Sequence, residues 1–96
     1  MIVIHVQTKV KGDKRREFIQ HIQHDTEVSR AFAGCVDWGW SEDVTHENMF
    51  TLYEEWATAE AFDAYKQSDH FKQINSVLMP LLAEEPKSAY YTANKL

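Results

Sequence analysis

Apolar and polar residues alternate along IVIHVQTKV, residues 2–10, with Ile2, Ile4 and Val6 on one side and Val3, His5 and Gln7 on the other. Period two over this length is the pattern of a strand with two distinct faces. Gly12 and Asp13 interrupt it. From Lys14 to about Arg30, Phe18, Ile19 and Ile22 recur at helical spacing, and Thr26 and Ser29 continue the same side. That spacing predicts a helix covered on one side only, ended at the glycine of FAGC, residues 32–35. CVDWGWSED, from Cys35, follows as a strand with Val36, Trp38 and Trp40 on one face. The polar turn formers of residues 43–48 join it as a hairpin to NMFTLYEEW, residues 48–56. In that strand Phe50, Leu52, Glu54 and Trp56 share one side, and Met49, Thr51, Tyr53 and Glu55 the other. Thr58 is placed to cap a short helix that carries Phe62 and Tyr65. A second cap at Gln67-Ser68-Asp69 opens a longer helix over 69–83, marked by Phe71, Ile74, Leu78 and Leu81, which Pro80 should bend or end. KSAYYTANK, from Lys87, reads as the last strand.

The order is β-α-β-β-α-β with the second helix in two pieces. Two crossovers around a central hairpin, with right-handed connections, predict a ferredoxin-like α+β sandwich: an antiparallel sheet with its helices on one face. The other face would be left open. An open aromatic and apolar sheet face is uncommon in soluble monomers, so a homodimer formed through the sheets is expected.

Composition narrows the class. The 96 residues have room for one domain, residues 1–96, with 44% hydrophobic and 26% charged residues, as in soluble globular proteins. The apolar runs Met1 to Ile4 and Val77 to Leu82 fall far short of the roughly 18 residues that cross a bilayer, so no membrane association is expected. With no basic region followed by an apolar block at the N-terminus, a cytoplasmic location is the expectation. The net charge of −5 argues against a nucleic-acid binder held by phosphate contacts. One cysteine, Cys35, excludes an internal disulfide and a cysteine-rich zinc site. Lys9, Lys11, Lys14, Arg15 and Arg16 hold half of the ten cations. At a strand-to-helix turn they read as a solvated cluster, with an anion site as the alternative. His21, His24 and Asp25 have helical spacing that suits metal ligands, but no third strong ligand accompanies the histidines, so a solvated face is expected and no metal.

YEEWATAEAFDAYKQSDHF, from Tyr53 to Phe71, adds a family likeness. Its Tyr-Glu-x-Trp strand end, acidic helix start and Ser-x-His-Phe resemble the antibiotic biosynthesis monooxygenase-like family, and KVKGDKRREF and AGCVDWGW resemble that family's first turn and second strand. The resemblance implies a dimeric α+β barrel with a small-molecule pocket in each subunit. Known members include cofactor-independent monooxygenases of polycyclic phenols or quinols, haem-degrading enzymes and enzymes of a phosphorylated sugar. Trp56 falls on the tryptophan that the aromatic-oxidising members place in their pocket. Those members also have an asparagine and a tyrosine where this chain has Leu52 and Phe62, so two polar contacts are missing. Haem-degrading members have a histidine where this chain has Asn75, so no haem is implied. Many relatives carry a histidine at Tyr65 and another at His70, of which only His70 is kept.

The expectation is a small cofactor-free monooxygenase acting with O₂ on an electron-rich phenol, quinol or polyketide-like compound. Such chemistry needs a base, a dry aromatic pocket and orientation. His70 or His5 is the expected base, since an imidazole titrates near neutrality. Trp56, Tyr65, Phe62 and Leu52 are the expected walls, Glu54 or Gln7 an orienting group, and Asn75 a further pocket residue. The alternatives are an isomerase of a phosphorylated small molecule, motivated by the basic cluster, and a dimeric module that binds a small aromatic or apolar molecule without catalysis.

Overall fold

A computed structural model describes residues 1–96. Four strands, β1 (Ile2–Lys9), β2 (Cys35–Glu42), β3 (Met49–Trp56) and β4 (Lys87–Thr92), form one antiparallel sheet in the order β2-β3-β1-β4. Helices α1 (Arg15–Arg30), α2 (Ala59–Lys66) and α3 (Asp69–Leu78) complete the ferredoxin-like α+β fold. No helix is long and apolar enough to cross a membrane.

The local signals act as chemistry dictates. Thr58 Oγ1 accepts from Ala61 N at 3.1 Å and Ser68 Oγ from Phe71 N at 3.2 Å, so α2 and α3 each start at a side-chain cap. α3 gives way at Met79 to a 3₁₀ turn, Met79–Leu81, because Pro80 has no N–H to continue an α-helix. After α1, Gly34 turns back with φ +83°, and a Cβ there would lie 2.4 Å from that of Ala61. Only glycine allows both that backbone and the approach of α2.

Register assigns the faces. Ile4 pairs with Glu54 and Tyr90, and Val6 with Leu52, while Trp38 and Trp40 pair with Glu54 and Leu52. All these residues therefore lie on the helix-covered face. Trp38 and Trp40 pack in the core under the helices. Val36 departs from the expected alternation: β2 shifts register between Cys35 and Asp37, and Val36 is half exposed, the mark of a β-bulge.

Under the helices the core falls into two clusters. One joins Phe18 and Ile22 of α1 to Phe50, Leu78, Leu81 and Leu82; the other joins Ile4, Trp38, Leu52, Trp56, Phe62 and Tyr65. The buried stripe of α1 runs Phe18, Ile22, Asp25, Ser29. Its lower half is apolar and its upper half polar.

The open face carries Val3, His5, Gln7, Tyr53, Glu55 and Tyr91. His5 lies edge-on to Tyr53 and Tyr91, with centroids at 5.3 and 5.9 Å. Glu54 and Glu55 split between the faces, but Glu55 is buried as well, held by Tyr53 and by Lys95.

Candidate active site

Between the two clusters lies a cavity of about 140 Å³. Its walls come from both, Phe18, Leu78 and Leu82 on one side and Ile4, Trp38, Leu52, Phe62 and Tyr65 on the other. The charged residues at its lining are Asp25, Glu54 and Lys66. Lys66 sits over the Phe62 ring and 3.5 Å from Asp63, and it is exposed, which makes it a rim residue.

Glu54 is a carboxylate in the middle of a sheet. The strand alternation that puts Leu52 and Trp56 on the covered face puts Glu54 there too, and its residue is only 4% exposed. Trp56 Nε1 donates to Glu54 Oε1 at 2.8 Å and leaves the second oxygen without a protein donor. Burial pushes the Glu54 carboxyl up to about 7; the Trp56 hydrogen bond pulls the other way, and the negative charge of Asp25 adds to the rise. Desolvation disfavours the anion of any buried acid, and a value near neutrality lets one group both take and return a proton.

Asp25, 2% exposed, anchors the second polar group. Its Oδ1 lies 2.8 Å from His70 Nε2 and accepts from Ser29 Oγ at 2.9 Å, and Ser29 Oγ is 3.3 Å from the Tyr65 hydroxyl. Buried polar groups persist when they satisfy one another, and four residues from α1, α2 and α3 do so here. Burial pushes the Tyr65 phenol above its ordinary range, so Tyr65 remains a neutral hydroxyl at the cavity wall.

Five of the expected pocket residues line this cavity: Leu52, Glu54, Phe62, Tyr65 and Asn75. Four others lie outside its lining. Trp56 is fully buried outside the cavity lining, behind the lining residues Trp38, Phe62 and Tyr65 and hydrogen-bonded to Glu54. His70 is turned to Asp25, its side chain 19% exposed, and is not a lining residue. His5 and Gln7 lie on the opposite face, because the strand's period of two puts odd-numbered β1 residues away from the helices. His5 is exposed there.

Asp25 was missed. HIQHD reads as a solvated face, yet Asp25 is three residues after Ile22 and seven after Phe18, in step with the buried stripe. A carboxylate at an apolar stripe position was the available signal. His24 is exposed, as expected, and His21 half-buried. No group of three metal-ligating side chains gathers anywhere in the chain. The basic cluster is also away from the cavity. Arg15 pairs with Glu42 and bonds Asn48, and Lys11 Nζ donates to the Pro80 carbonyl at 3.0 Å. The Arg15 guanidinium holds the Glu42 carboxyl down at about 2.

Comparison with known proteins gives a consistent picture. An uncharacterized protein of Synechocystis is 34% identical over 90 residues, 94% of this chain and 61% of that protein; the chain thus spans less than two thirds of that relative's length. YcnE of Bacillus subtilis, named as a candidate monooxygenase, is 35% identical over 72 residues, 75% of this chain and 76% of YcnE. A conserved protein from Methanosarcina mazei superposes with a TM-score of 0.92 at 28% identity, covering 97% of this chain and 92% of that one. SnoaB, a cofactor-independent oxygenase from Streptomyces nogalater, superposes at 0.87 with 16% identity over 99% of this chain and 94% of SnoaB, a likeness of fold alone. Residues 1–76 match the model of the antibiotic biosynthesis monooxygenase family. With that match across most of the fold, the chain belongs to the antibiotic biosynthesis monooxygenase family.

Proposed function

We propose that this protein is a cofactor-independent monooxygenase that oxidises an electron-rich phenol or quinol with O₂, with Glu54 as the acid-base group. The observation that carries the reading is a buried carboxyl, raised to about 7, lining an otherwise mostly apolar cavity. Family membership and the likeness to YcnE support the reaction class.

In this reading Glu54 takes the phenol proton, and the phenolate passes one electron to O₂. The phenoxyl radical and superoxide join at a ring carbon, and Glu54 returns its proton to the peroxide oxygen. The carboxylate then removes the ring C–H proton as the O–O bond breaks. The departing hydroxide takes that proton, so phenol and O₂ become quinone and water, with Glu54 restored. Burial favours the first step by disfavouring the Glu54 carboxylate, and Trp56 orients that carboxylate through its indole N–H. Phe62, Leu52 and Tyr65 hold the ring.

A phosphorylated ligand finds less support, because two of the three charged lining residues are acids and Lys9, Lys11, Lys14, Arg15 and Arg16 lie elsewhere. A homodimer through the open sheet face, where Tyr91 is half exposed beside His5, is part of the proposal; sedimentation equilibrium giving a single monomer mass would remove it.

The test is turnover of a panel of phenols and quinols by purified protein under air and under argon. The expected result is quinone formation with O₂ uptake under air, none under argon, and at least a hundredfold loss in Glu54→Gln. Equal rates in both atmospheres, or an unimpaired Glu54→Gln, would overturn it.

A further inference from the structure

Two buried donors of the cavity wall are unused. Trp38 and Trp40 both line the cavity, and neither indole Nε1–H has an acceptor in the protein. Trp38 is only 1% exposed, so water does not satisfy it from the surface. Buried indole N–H groups ordinarily find a partner, and one at a cavity wall can take it from a ligand or from an ordered water that the ligand displaces. Trp56, on the same sheet face, meets that requirement with Glu54. Its two neighbours do not.

Size sets the second constraint. A cavity of about 140 Å³ is close to the roughly 150 Å³ of an engineered protein cavity that holds one benzene molecule. The surrounding rings are already packed on one another: Tyr65 stacks at 4.9 Å from Trp56 and stands edge-on to Trp38 at 5.5 Å and Phe32 at 5.0 Å. Trp56 and Phe62 are 6.1 Å apart. A fused second ring would have to displace side chains of a packed core.

We propose that the cavity selects a single-ring hydroquinone, one hydroxyl donating to Glu54 and the other oxygen accepting from the indole N–H of Trp38 or Trp40. The two oxygen sites of such a ring match one buried acceptor and one pair of unused buried donors. A plain apolar ring leaves both indoles unsatisfied. A polycyclic phenol would have to extend out of the cavity or displace side chains of the packed core. The selection rests on the cavity being the substrate site of the proposed oxygenase, but it concerns binding and not oxidation.

The experiment is therefore isothermal titration calorimetry under argon, where no turnover occurs, with methylhydroquinone, toluene and 1,4-naphthalenediol as probes. Wild-type protein is expected to bind methylhydroquinone at least tenfold more tightly than either toluene or the naphthalenediol. Trp38→Phe or Trp40→Phe, whichever donor is used, should weaken methylhydroquinone about tenfold while leaving toluene unchanged. Equal or tighter binding of the two-ring diol overturns the selection by size. Undiminished hydroquinone binding in both tryptophan variants, or in the one that folds with wild-type circular dichroism together with no preference over toluene in the wild type, overturns the selection by donors. Tight hydroquinone binding without O₂-dependent turnover would defeat the proposed reaction and leave the binding selection standing.

Discussion

Replacing Glu54 with Gln should stabilise the fold by an amount that grows as pH rises from 4.5 to about 7. Burial raises the Glu54 carboxyl from its ordinary 4.5 to about 7, so the folded chain binds this proton more tightly than the unfolded chain. The sign follows from linkage. Where the native state holds more protons than the unfolded state, stability falls as pH rises. The contribution of Glu54 is therefore fully favourable below about 4.5, declines between 4.5 and 7, and stays lost above 7. A difference of some 2.5 pH units corresponds to about 3 kcal/mol at 1.36 kcal/mol per unit. Gln is close to an isostere of the protonated acid, and its Oε1 can still accept from Trp56 Nε1, as Glu54 does at 2.8 Å. At pH 4 the two proteins should have nearly equal stability. At pH 9 Glu54→Gln should be the more stable by up to about 3 kcal/mol, which for a domain of this length raises Tm by roughly 4–8 °C per kcal/mol. Urea unfolding followed by tryptophan fluorescence at matched protein concentration, from pH 4 to pH 9, measures it. A gap that does not widen with pH, or a Gln variant less stable than wild type at pH 9, would refute the assignment of Glu54 as a buried acid held partly protonated.

The other expectations concern the parts around that carboxyl. Trp56→Phe removes a hydrogen bond that lowers the Glu54 value, so the midpoint of the Glu54 side-chain carboxyl signal in an NMR titration should move above 7; an unchanged midpoint would show that the bond does not tune it. Asp25→Ala and His70→Ala should each destabilise the fold by about 1–3 kcal/mol, since each strands a buried partner, and their effects should be non-additive by at least 0.5 kcal/mol in a double-mutant cycle of chemical denaturation; additive effects would mean that the 2.8 Å contact carries no coupling. Gly34→Ala should cost about 2–4 kcal/mol from the combined left-handed strain and the overlap with Ala61, and adding Ala61→Gly should recover only the overlap part, as read by thermal unfolding.

Much of the fold was legible because local chemistry and tertiary packing agree. Period-two alternation in β1 and β3, the Thr58 and Ser68 caps and the Pro80 stop each specify their element from neighbouring residues. The bulge at Val36 was not legible, because an extra residue in a strand leaves the pattern of types unchanged and shifts only the pairing. The site was legible in part. Leu52, Phe62, Tyr65 and Asn75, positions that the family resemblance marked, and Glu54, on the strand face of Leu52, all line the cavity. Trp56 and His70 belong to the same stretch, but one fills the core and the other turns to Asp25.

The sequence by itself determined which residues share a strand face or a helix stripe, since those periodicities are properties of a few consecutive backbone units. Glu54 was therefore fixed on the face of Leu52 and Trp56 before any packing is considered. Only the tertiary structure decided which face the helices cover, and with it that His5 and Gln7 lie opposite the cavity. Only it brought Asp25 of α1 to His70 of α3, 45 residues apart along the chain, and left space between two core clusters. Burial is a property of what the other elements exclude from water, so it raised a strand glutamate to about 7, a value that no local pattern encodes.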